Sequence, residues 1–103
     1  MAEVDTLLAS SERVYLSVCL DAFAAAAAPG VSAPQALGIN PWRVVPLIRR
    51  IAESGKLAAV DFAELCPRFD LDGRSARLLA ALFFECLEGL SRVDSAASVP
   101  KVQ

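Results

Sequence analysis

The sequence contains no histidine at all and only two lysines, Lys56 and Lys101. Without imidazole, Ser-His-Asp and Cys-His nucleophilic arrangements are excluded, and the commonest protein metal ligand is missing. No Gly-x-Gly-x-x-Gly or P-loop pattern occurs. The three cysteines, Cys19, Cys66 and Cys86, show no C-x-x-C spacing and lie within apolar periodicity, which reads as reduced thiols of an intracellular protein, cytoplasmic or nuclear. Glu3 and Asp5 stand where a signal or transit peptide would carry basic residues. The longest uncharged run, Ala22 to Trp42, is broken by Pro29, Gly30, Pro34, Gly38 and Pro41, so it forms no membrane span. A net charge of −2 disfavours nucleic acid as a partner, since phosphate neutralisation calls for a basic face. An Asp70-Leu71-Asp72-Gly73 run places Ala81 where a calcium loop needs a bidentate Glu, so it is no calcium site. No catalytic, cofactor-binding or metal-binding residue is assigned, no cofactor is expected, and an enzyme is not.

What is abundant is apolar. The chain is 55% hydrophobic with a mean hydropathy of +0.47, and alanine supplies much of it, five in a row from Ala24 to Ala28. The surplus reads either as a partner surface or as dense helix packing. From Asp72 to Arg92 the pattern is helical. Asp72 is a plausible cap, Leu78, Leu79, Leu82, Phe83, Cys86, Leu87 and Leu90 fill one side, and Arg74, Arg77, Glu85, Glu88 and Arg92 mark the other. The apolar arc is about twice the ~100° of an ordinary surface helix, as expected of a core helix or one that also meets a partner. Residues 3–28 show Val4, Leu7, Leu8, Val14, Val18, Ala22 and Phe23 at helical spacing, an amphipathic helix, either continuous or restarted at Ser10 or Ser11 as a cap, closed by Pro29-Gly30. Residues 29–41 form a connector. Asn40-Pro41 signals a cap, Pro46 either separates or kinks the next segment, and the main helix runs from Pro46 to Ser54 with Gly55 as terminator. Lys56 to Val60 reads as extended or loop, and Asp61 to Cys66 as a short helix with Glu64 completing a capping box before Pro67.

The order helix 46–54, connector, helix 61–66, turn, helix 73–90 is that of a helix-turn-helix. Phe62-Ala63-Glu64-Leu65-Cys66, then Arg74 and a helix carrying Ala80-Ala81, Phe83-Phe84 and Leu87, resembles the C-terminal winged-helix domain of kleisins over residues 44–93. That resemblance implies hydrophobic docking on the ATPase head of an SMC protein. The family's wing hairpin has no counterpart in Asp94 to Gln103.

The expected fold is therefore all-α, a compact four- to five-helix domain with a helix-turn-helix or winged-helix-like C-terminal half. Residues 1–93 form one domain (helix 1–28, connector 29–41, helix-turn-helix-like part 42–93), and 94–103 form a tail. The expected function is a non-catalytic protein-interaction module or small subunit of an assembly. It would bind a protein partner, or itself, through Trp42, Phe83, Phe84, Leu87 and Leu90. The alternative is a DNA-binding regulator using Arg74 and Arg77.

Overall fold

Val14–Cys19 (β1) and Leu57–Ala63 (β2) lie side by side as parallel strands in the computed structural model, which describes residues 1–98 and side chains through residue 93. The all-α expectation is thereby corrected: the chain is α/β. The remaining elements are α1 (Ala2–Ser10), α2 (Val45–Glu53) and α3 (Arg74–Ser98), with short 3₁₀ turns at Leu20–Ala22, Pro41–Arg43 and Pro67–Phe69. The order β1, α2, β2 is the crossover unit that parallel strands require.

Both misread segments carry strand chemistry. Val14, Leu16, Val18 and Leu20 alternate with Tyr15, Ser17 and Cys19, and the first set faces the core while Tyr15 and Ser17 stay exposed. Apolar residues at 14 and 18 satisfy a helical spacing and a strand spacing alike, so periodicity counted over 3–28 merged a nine-residue helix with a strand. In 61–66 the Asp-x-x-Glu capping pattern is local, and pairing with β1 overrides it: Asp61 opposes Ser17, and Phe62 opposes Val18. With 57–63 extended there is no helix-turn-helix, and the kleisin-like arrangement falls with it. Gly55 and Asn40 terminate and cap as their residue types imply, whereas residues 94–98, expected in the tail, continue α3. Gly55 adopts φ +78° just past α2, Asn40 accepts from the Trp42 N–H (3.0 Å), and α3 runs on past Arg92 to Ser98. Residues 99–103 of the expected tail lie outside the described residues.

The core sits on one side of the sheet. Val18, Leu20 and Phe23 pack against Ile48 and Ala52 of α2 and Leu82 and Cys86 of α3. A satellite cluster of Leu8, Val14 and Ile51 fastens α1, and Arg50 pairs with Asp5 (2.9 Å) outside it.

The start of α3 is tied by two carboxylates. Burial raises the Asp70 carboxyl, but the N–H groups of Ser75 (2.8 Å) and Ala76 (2.9 Å), with the Ser75 hydroxyl, outweigh this and hold it below the ordinary carboxylate range. Hydrogen bonds from the Arg74 N–H (3.1 Å) and guanidinium lower Asp72 likewise. A carboxyl with a depressed folded-state pKa stabilises the fold above its unfolded value, and that contribution is lost as the pH falls through the folded value. The urea midpoint should therefore drop as pH is lowered below about 4. Asp70→Asn should flatten that dependence, measured by denaturant titration across the acid range, and an unchanged slope would remove Asp70 as its source.

Candidate active site at the strand ends

In parallel sheets, ligand crevices open at the carboxyl ends of the strands. Here those ends are adjacent, Cys19 opposing Ala63. β1 runs directly into the 3₁₀ turn that holds Asp21, and β2 runs into Glu64. Glu64 has φ +77°, the one positive value of a non-glycine residue among the described residues. Strained backbone of this kind concentrates at functional positions, because only surrounding structure keeps it populated.

The Cys19 thiol donates to Asp21 Oδ1 at 2.7 Å. That hydrogen bond first, then burial and the negative charges of Asp21 and, less, Glu64, push the Cys19 thiol up, so at neutral pH it keeps its proton. Further down the same face, Asp61 accepts from Ser17 Oγ (2.8 Å) and from the Tyr15 hydroxyl. The loop leaving Asp21 is held close. Phe23 bridges to Ile39 and Ala24 to Gln35, the Cys66 N–H donates to the Gly30 carbonyl (2.7 Å), and the Gly30 N–H donates to the fully buried Ser75 hydroxyl (2.7 Å).

Two cavities accompany this frame. The larger, about 720 Å³, lies away from the strand ends between that loop and α3, with Trp42, Val45, Leu78 and Leu82 in its walls. Its titratable group is Glu85, already paired with Arg49 at 2.7 Å, so its size outruns its chemistry. The smaller, about 220 Å³, is lined by the consecutive residues Leu16 to Cys19 and by Ile39, Val44 and Leu47, and so runs along β1 to the strand end.

The residues singled out from sequence do not converge there. Trp42 is 80% exposed at the large groove. Phe83, Phe84 and Leu87 are exposed on α3, Phe83 meeting Phe62 edge-on at 5.8 Å, and Leu90 is half-buried against the core. Arg74 is occupied by Asp72 (2.8 Å) and the Ala26 carbonyl (3.2 Å), and Arg77 by the Asp72 carbonyl. Arg74 and Arg77 thus close a helix start, and no recognition helix exists for them to begin. Cys86 is buried, which pushes its thiol up and removes it as a nucleophile. The strand-end trio, Cys19, Asp21 and Glu64, escaped the sequence reading. Its signal was a short alternating run, Val14 to Leu20, ending on an acidic residue.

The model of the arginase family matches residues 1–88. The chain belongs to the arginase family. It is 43% identical over 88 residues to a formimidoylglutamase of Legionella pneumophila, covering 85% of this chain and 28% of that protein. It superposes on the agmatine ureohydrolase of Thermoplasma volcanium with a TM-score of 0.81 and 27% identity, over 92% of this chain and 31% of that one. It also shares the fold of a Trypanosoma cruzi formiminoglutamase containing manganese(II), with a TM-score of 0.76 and 22% identity, over 86% of this chain and 30% of that one. The chain thus spans under a third of the relatives it matches. Membership in the arginase family overturns the kleisin resemblance, and the expectations of a non-catalytic module and of a DNA-binding regulator fall with it, because the relatives are hydrolytic enzymes. Among the described residues, no helix of this arginase-family chain is long and apolar enough to cross a membrane.

Whether these residues suit manganese is a question of donors. Manganese(II) favours carboxylate, water and imidazole. The strand end supplies two carboxylates and a protonated thiol, the sequence has no histidine, and among the described residues no three acidic, histidine or cysteine side chains converge as a metal site. The donor set does not fit.

Proposed function

We propose that this chain forms the strand-end wall of an arginase-family hydrolase acting on formimidoylglutamate, with Asp21 and Glu64 facing the amidine group. The observation that carries the reading is that an acidic residue follows the end of each of two adjacent parallel strands, Asp21 after β1 and Glu64, held at positive φ, after β2. The substrate class is supported by the formimidoylglutamase relative at 43% identity. An amidinium is a planar, delocalised cation whose N–H groups match a carboxylate two at a time, and such charge-assisted pairs fix orientation as well as affinity. Two carboxylates approaching from neighbouring strands would hold that plane and present its carbon to water. Because this chain spans under a third of its relatives, the rest of such a site would come from the remainder of an arginase-family unit.

The test is a hydrolysis assay of the natively purified chain, with whatever it assembles with, on formimidoylglutamate, agmatine and arginine in parallel. Glutamate release from the first, without urea from the other two, is expected. Asp21→Asn or Glu64→Gln should lower kcat/KM about tenfold or more. Urea from arginine or agmatine would reassign the substrate, and no product from a folded assembly would end the hydrolase reading.

A further inference from the structure

We infer that Cys19 leaves the strand end of this chain without the hard donors that manganese(II) needs, so that this part of the fold by itself does not bind that ion. The position is the one where an α/β sheet presents ligands, at the carboxyl ends of neighbouring parallel strands. What stands there is Cys19, Asp21 and Glu64, and the Cys19 thiol is engaged as a donor to Asp21 at 2.7 Å. Sulfur is a soft ligand, matched to zinc, copper(I) and iron–sulfur chemistry, whereas manganese(II) is held by oxygen and imidazole nitrogen. Among the described residues, no other donor makes up the deficit. The sequence has no histidine, and the carboxylates closest in character are committed elsewhere: Asp61 to Ser17 and Tyr15, Glu85 to Arg49, Glu53 to Arg92, and Asp70 and Asp72 to the start of α3. The Cys19 thiol thus occupies a position next to Asp21 where an oxygen donor would be needed, and among the described residues no three such side chains converge.

Manganese(II) uptake by the chain is read directly, without any substrate. The free manganese(II) signal in electron paramagnetic resonance is titrated with the full chain, with Cys19→Asp and with Asp21→Asn, and thermal melting is followed with and without the ion. The wild-type chain should leave the free-ion signal undiminished up to roughly millimolar manganese. Cys19→Asp should bind at least about tenfold more tightly and gain melting temperature on adding the ion. Uptake by the wild type that disappears in Asp21→Asn overturns the inference. Uptake that Asp21→Asn leaves unchanged lies elsewhere on the chain and supports it. No gain in a folded Cys19→Asp protein overturns the assignment to Cys19. These readouts are independent of the hydrolysis assay, so either reading can fail without the other.

Discussion

Gly89→Leu should lower the stability of the fold by about 2–3 kcal/mol, despite replacing the poorest ordinary helix former with one of the best. The reason is the contact between α2 and α3. A Cβ built at Gly89 would lie 2.6 Å from Ala52 Cβ, 3.1 Å from the Arg49 carbonyl oxygen and 3.3 Å from the Glu53 nitrogen. None of those atoms is the free end of a flexible side chain. Relief requires the two helices to separate, and their separation would uncover Ile48, Leu82 and Cys86, each almost fully buried. Helix propensity returns only about 0.8–1 kcal/mol, less than the overpacking it must offset. For a chain of this size the net loss corresponds to a fall of roughly 10 °C in Tm. Gly89→Ala should show a smaller loss of the same sign. Combining it with Ala52→Gly, which moves the single methyl from one helix to the other, should recover part of that loss, giving a coupling of about 0.5 kcal/mol or more. A Gly89→Leu protein that melts with the wild type would show that the helices do not meet this closely.

Gly89 also marks the limit of what the sequence disclosed. Helix 45–53, its Gly55 terminator, the Asn40 cap and the Asp72 cap are local events, decided within four residues of one another, and they are readable from residue type alone. The apolar pattern of α3 was equally plain, but not which part of its broad arc is covered. Leu82 and Cys86 are buried while Phe83, Phe84 and Leu87 stay exposed, a division set by where α2 crosses at Gly89. The strands were lost because their stabilisation is non-local. Val14–Cys19 pairs with residues more than forty positions away, and no pattern inside either segment reveals a partner at that distance. The candidate site was lost with them. In the helices the sequence suggested, Asp21 is an ordinary surface acid and Glu64 a capping residue, and only two strands ending side by side bring both to one edge of the fold. Cys19 shows the same effect: in a helix it reads as a buried thiol, whereas at a strand end it donates to Asp21.

Phe23→Ala should be the most costly single truncation in the chain, about 3–5 kcal/mol, and its effect should reach the strand end. Phe23 is 2% exposed and packs within the main core, two residues after Asp21. Its backbone is fixed from both sides. Its N–H donates to the Leu20 carbonyl, the next N–H donates to Ile39 at 3.0 Å, and Gly38 approaches so closely that a Cβ there would stand 2.4 Å from the Phe23 carbonyl carbon. The ring thus anchors both the turn that carries Asp21 and the loop that returns along it. Removing it opens a cavity under that turn, and the hydrogen bond from Cys19 to Asp21 should loosen with it. Two measurements in a Cys66→Ser, Cys86→Ser background separate these effects. The urea midpoint reports the core, and the rate of Cys19 alkylation under native conditions reports the turn. The parent protein should react slowly, because its thiol keeps its proton and is partly covered, and Phe23→Ala should both unfold earlier and alkylate faster. An unchanged midpoint would place Phe23 outside the core. Lost stability with unchanged alkylation would mean that the Asp21 turn is held by its own backbone bonds, and the strand-end geometry would then survive defects in the core beneath it.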